Sequence, residues 1–135
     1  MSTATFVKLY LATLVVFLAI DMVWLGFAAK GFYRRYLGDL LRPDVRWGAA
    51  VLFYLIFIGG ILLFAVLPAI ERASFRHAVL LGGLFGLIAY ATYDLTNLAT
   101  LKGFPPIVVV VDMVWGFVLT ATVAGAGYKI AGWIT

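Results

Sequence analysis

Three aspartates interrupt runs of sequence that otherwise carry no charge: Asp21 in LAIDMVWLG, Asp94 in AYATYDLTNLAT and Asp112 in VVVVDMVWG. A carboxyl in apolar surroundings can hold a cation, accept hydrogen bonds or pass a proton. Two of them can serve as general acid and base when their environments push their pKa values apart. Tyr90 and Asn97 stand at i−4 and i+3 from Asp94 and share its helix face. Thr92, Tyr93, Thr96 and Thr100 add polarity to the same segment. The tetrapeptide DMVW occurs at 21–24 and again at 112–115, so Trp24 and Trp115 each follow an aspartate by three residues. An indole N–H only donates and a carboxylate only accepts, which makes each Trp a donor for a nearby acid. The candidate ligand-binding or polar-core set is therefore Asp21, Asp94, Asp112, Asn97, Trp24, Trp115, Tyr90 and Thr96.

Other chemistries have no residues to carry them. The chain has no cysteine, which excludes disulfides, thiol catalysis and thiolate metal sites. His77 is the single histidine and stands where an apolar run begins, so it is not read as a metal ligand. No phosphate-cradling loop, nucleophile–base pair or dinucleotide fingerprint is present. No catalytic residue, cofactor or metal is assigned. Three carboxylates around Mg²⁺ would need a geometry that spacing alone does not define.

The elements that position these residues are set by composition. The 135-residue chain is 65% hydrophobic and 12% charged, and its mean hydropathy is +1.11. A soluble domain carries about a quarter charged residues. Four apolar segments, roughly 5–29, 47–70, 77–101 and 106–132, each reach the ~20 residues that cross hydrocarbon. Backbone groups in lipid must pair internally, so these are expected to be helices even where VVVV opens the fourth. The first run contains Asp21 and Trp24 and is longer than a signal-peptide core, so it is read as a retained span. The expected fold is an all-α integral membrane protein, one four-span domain over residues 1–135.

Between the first two spans, Tyr33, Tyr36, Leu37, Leu40 and Leu41 follow helical spacing, with Arg34, Arg35, Asp39 and Arg42 opposite. This predicts a short interfacial helix at about 31–42, stopped by Pro43, whose arginines Arg34, Arg35 and Arg42 meet lipid headgroups. Trp47 and Trp133 stand at span ends as interface anchors. Gly82 with Gly86 and Ala121 with Gly125 are small-xxx-small pairs, which mark close helix contact within or between chains. Membrane lipids are expected partners. The net charge of +4 sits in loops, and no basic face suited to nucleic acid is visible.

Depth ties the acids together. Asp21 precedes Lys30 by nine residues, or about 13 Å. Asp94 precedes Lys102 by eight, or about 12 Å, and Asp112 follows Pro105 by seven, or about 10 Å. The spans alternate in direction, yet all three acids come out at one level. A charge at mid-span costs about 2.5–3.5 kcal/mol on insertion scales. The acids are therefore expected to face one another, water or a ligand, with at least one of them neutral at pH 7. The alternative role is a hydrogen-bonded core that fixes helix register.

Loops 1–2 and 3–4 carry Lys30, Arg34, Arg35, Arg42, Arg46 and Lys102; the opposite side carries Lys8, Arg72, Arg76 and Lys129. Six against four places both termini outside the cytoplasm. Asp21 leads into Lys30–Gly31–Phe32, and Asp94 into Lys102–Gly103–Phe104, an echo that a duplicated two-helix unit would produce.

The segments DMVWLG, AYATYDLTNLATL and VDMVWG resemble a bacterial membrane family, the domain of unknown function DUF2177, over nearly the whole chain. The resemblance implies a four-span protein of the bacterial inner membrane and brings no catalytic residue, cofactor or substrate. The leading expectation is a small carrier or binding protein for a cationic or hydrogen-bonding solute, proton-coupled through the acids. The alternatives are a membrane-lipid-modifying enzyme or its membrane partner, and a structural subunit of a membrane complex. A four-helix monomer encloses little space, which points to a homo-oligomer.

Overall fold

The computed structural model describes all 135 residues, and its regular elements are all helical. Helix α1 (Thr3–Val23) starts at Ser2, whose hydroxyl accepts from the Thr5 N–H at 3.1 Å, and runs into a π-helical turn, Trp24–Ala28. Helix α2 spans Lys30–Leu37 and a 3-10 turn follows at Gly38–Leu40. Helix α3 (Trp47–Ile61) passes through a second π-helical segment, Leu62–Val66, into α4 (Leu67–Glu71). Pro68 has no N–H and excludes an α-helical bond to the Phe64 carbonyl, and the π segment lies directly before it. Helix α5 covers Phe75–Thr100 and α6 covers Pro106–Ile134. Four stretches are long and apolar enough to cross a membrane: Thr3–Ala28, Trp47–Glu71, Phe75–Thr100 and Pro106–Ile134.

The turn between the second and third spans is tight. Ser74 N–H bonds the Ala69 carbonyl and Ala73 N–H bonds Ile70, each at 3.1 Å, with Ala73 at φ +50°. That is the double closure by which a helix ends on a left-handed residue. Ser74 then caps α5 through the His77 N–H at 3.1 Å.

Helix α2 ends at Leu37, short of Arg42, because Gly38 takes φ +32° and breaks the helix before Pro43 is reached. Its apolar stripe is divided as a result. Phe32, Tyr33 and Leu37 pack on a small cluster of Phe104, Val108 and Val109, whereas Tyr36 and Leu40 are exposed. The two KGF segments thus each supply a phenylalanine to this cluster or its rim.

The main core lies toward the chain termini. Leu9, Phe17, Ile58, Ile61, Leu62, Val66, Leu119 and Val123 are fully buried there in one cluster. The other half of the bundle is looser, since residues 47–56 of the second span bury no side chain.

Glycines draw α5 and α6 together. Gly86 lies against the Gly116 carbonyl, and a Cβ on Gly116 would stand 2.5 Å from the Tyr90 ring. Gly82 meets Thr120 and Ala124 at the same crossing, so this small-xxx-small pair serves contact within the chain. Gly86→Ala is expected to destabilise by about 1–3 kcal/mol, because a backbone carbonyl cannot give way as a side chain can. Thermal unfolding in detergent checks this; an unchanged melting temperature would contradict the close crossing.

Candidate functional site

The looser half holds a cavity of about 570 Å³. Asp21 from α1, Asp94 from α5 and Asp112 from α6 all line it, together with Trp24, Tyr33, Tyr90, Tyr93 and Trp115. Leu25, Leu37, Leu41, Phe53 and Ala89 complete the wall, and no Lys or Arg is part of it.

Two of the acids are held by aromatic donors. Asp21 is 6% exposed and accepts from Trp115 Nε1 and from the Tyr54 hydroxyl, each at 3.3 Å. Asp112 is 7% exposed and accepts from the Tyr33 hydroxyl at 2.5 Å. Tyr33 in turn accepts from Trp24 Nε1 at 3.2 Å. Burial and the neighbouring Asp112 both push the Tyr33 phenol up from its usual value, so it stays a proton donor at neutral pH. The two indoles stack at 4.3 Å with 11° between their planes.

The DMVW motifs are therefore crossed. Trp115, from the Asp112 motif, donates to Asp21, and Trp24, from the Asp21 motif, reaches Asp112 through Tyr33. Antiparallel spans explain this. Two copies of one motif meeting head to tail stand about a local two-fold relation, so each presents its Trp to the other's acid.

Asp94 has no such partner. Its residue is fully buried, and neither carboxyl oxygen has a protein donor within hydrogen-bond reach. Its carboxyl neighbour is Asp112, close enough for the two acids to share a proton. Leaving a buried carboxyl without a donor costs several kcal/mol in order of magnitude.

A sequence profile described as "Predicted membrane protein (DUF2177)" matches residues 6–129. The chain belongs to this family. No curated protein and no solved structure matches it.

Some expected site residues of this DUF2177 protein lie elsewhere. Thr96 is exposed, and its hydroxyl bonds the Thr92 and Tyr93 carbonyls of its own helix. Two residues of helix turn it about 200° from Asp94, onto the outer face. Thr92 and Thr100 likewise bond carbonyls four residues back. Asn97 is half-buried beside Tyr93, one turn past Asp94, and does not line the cavity. Nor do the three acids form a metal-ligand cluster, since Asp21 is committed to Trp115 and Tyr54 on its own side. Arg34, Arg35 and Arg42 are exposed and outside the cavity; Arg35 lies 5.4 Å from the Tyr36 ring centre, and Arg42 Nε donates to the Asp44 carbonyl at 3.1 Å.

Two tyrosines joined the site without being singled out for it. Tyr54 is the one hydroxyl in the second span, which is the signal that could have found it. Tyr33 sat on the apolar stripe of α2, where its ring counted and its hydroxyl did not. Tyr33→Phe removes the donor to Asp112 and the acceptor for Trp24, at an expected cost of about 1–3 kcal/mol. Thermal unfolding of Tyr33→Phe, Trp24→Phe and the double variant tests the chain of bonds. Additive losses would show that the two contacts are independent.

Proposed function

We propose that this protein binds and carries a cationic or hydrogen-bonding solute at an intramembrane carboxylate site, with a proton exchanged for the solute. The observation that carries the reading is Asp94, buried in a cavity wall with no standing donor on either oxygen. Asp21 and Asp112, each bonded by aromatic donors, shape the cavity and tie α6 to α1 and to α2. A purely structural role suits Asp94 poorly, because its neighbour Asp112 is another acid and no hydroxyl, amide or indole donates to it. The test is to purify the protein from its own membrane, extract what comes with it, and compare with Asp94→Asn. A small donor-bearing molecule enriched only with the unaltered protein supports the reading; identical extracts overturn it.

One observation favours a second reading, action on a lipid: Leu25, Leu41 and Phe53 line the cavity while remaining over two-fifths exposed, so the wall reaches the hydrocarbon-facing surface. No Ser, Thr, Cys, Lys or His lines the cavity, so such a reaction would fall to the acids and tyrosines. A changed lipid composition in a strain lacking the gene would favour this alternative.

The setting in this reading is the bacterial inner membrane, with α2 at the interface and Arg34, Arg35 and Arg42 at the headgroups. A homo-oligomer would enlarge the enclosed space. Both termini lie outside the cytoplasm, following the six-to-four distribution of Lys and Arg. A phosphatase fused after Thr135 should be active and a fluorescent protein there dark. The opposite pattern would reverse the orientation.

A further inference from the structure

We infer that the ligand is an amphiphilic ammonium ion: a positively charged amine head held at Asp94 and a hydrocarbon tail leaving the cavity toward the bilayer. This deepens the reading of Asp94 as the ligand-binding group and rests on it. Three features of one wall select the class.

The first is charge. Neither Asp94 oxygen has a standing donor, and no basic side chain lines the cavity to neutralise it. The second is the aromatic surround. Trp24, Trp115, Tyr90 and Tyr93 line the same space as the carboxyl. Ring faces attract an alkylated ammonium, whose charge is spread over methyl or methylene groups and costs little to dehydrate. A small hydrated cation gains less from rings and must shed more water.

The third feature is size and outlet. About 570 Å³ is far more than a metal ion needs and falls in the roughly 300–1,000 Å³ class that holds organic ligands. Tyr93 of the third span reaches the surface at 59% exposed; the other lining side chains that do so are apolar: Leu25 is 42% exposed, Leu41 44% and Phe53 45%. They sit on the first span, the 30–46 connection and the unburied half of the second span. That apolar side suits an aliphatic chain, and Tyr93 is the one polar residue among the exposed lining side chains. The same chemistry describes a lipid with an amine headgroup and a free lipophilic amine.

The test uses the full chain in phosphatidylglycerol nanodiscs, which contain no amine lipid. Trp47→Phe and Trp133→Phe remove the two exposed span-end indoles, so fluorescence reports Trp24 and Trp115 at the site. Dodecyltrimethylammonium, kept below its micelle concentration, should give a saturable change. It should bind at least about tenfold more tightly than tetramethylammonium. Dodecanol should give no saturable change. Asp94→Asn should weaken the response at least about tenfold, and Asp94→Glu should restore it in part. Equal binding of dodecanol, or a response indifferent to Asp94→Asn, overturns the charged head. Equal binding of tetramethylammonium overturns the tail. A neutral donor co-purifying in an Asp94-dependent manner, with no response to dodecyltrimethylammonium, would sink this inference and leave the carrier reading standing. Failure of both experiments removes both. Repeating the titration with phosphatidylethanolamine present separates the sources: a curve shifted by competition marks the lipid headgroup, an unshifted one the free amine, and either supports the ammonium class.

Discussion

Asp94→Leu is expected to raise the melting temperature while abolishing ligand binding. The carboxyl is buried and no hydroxyl, amide or indole donates to either oxygen, so its removal forfeits at most a proton shared with Asp112. What disappears is the cost of a desolvated polar group, and the gain should be about 1–3 kcal/mol. The adjoining cavity gives the larger side chain room. Asp94→Asn keeps the shape and loses the charge. It should fold like the unaltered protein and bind a cationic ligand about 100-fold more weakly, near 2.7 kcal/mol at about 1.4 kcal/mol per decade. Stability lost in exchange for function is a recurrent mark of binding sites. Thermal unfolding in one detergent, alongside the fluorescence titration, measures both effects. A fall in melting temperature for Asp94→Leu, with binding intact in Asp94→Asn, would make the acid a structural residue.

Trp115→Ala should have the largest effect on stability. The indole stacks on Trp24 at 4.3 Å and donates to Asp21 at 3.3 Å. Truncation leaves a cavity where the ring was and removes one of two donors to a buried carboxylate, about 3–5 kcal/mol together. Trp115→Phe keeps a ring and loses only the donor, so about 1–3 kcal/mol is expected. Because both tryptophans lose the same stack, Trp24→Ala combined with Trp115→Ala should cost less than the sum of the two. Strict additivity would show that the stack contributes nothing, and the crossed arrangement would then be a packing coincidence. The measurement is again thermal unfolding, with Asp21→Leu as the reference for loss of the acceptor.

Depth was readable along the chain because helix rise is constant. Counting residues from the loops put Asp21, Asp94 and Asp112 at one level, and they line one cavity. Facing was readable too, and Thr96 shows how it can be misjudged. Its polarity suggested membership of the site, whereas two residues of helix carry it to the outer surface, where its own backbone satisfies the hydroxyl. Tyr33 shows the converse. Its spacing marked an apolar stripe, and only contact with α6 turned its hydroxyl into the donor to Asp112.

By itself, the sequence determined that four apolar helices form, how deep each acid lies along its helix, and that no basic residue shares that depth. These follow from hydropathy, from a rise of about 1.5 Å per residue and from the cost of unpaired backbone in lipid. The tertiary structure decided the pairing. Which Trp meets which acid depends on how α1 and α6 are rotated about their own axes, and that rotation is set by packing against a second helix. The crossed DMVW motifs are the result. The cavity was likewise a tertiary matter. Glycines let α5 and α6 close on each other, while the first half of the second span stands off and buries nothing, so the space between them opens beside Asp94. An acid left without a partner cannot be read from a chain, because every potential donor is equally present there until folding assigns each one elsewhere.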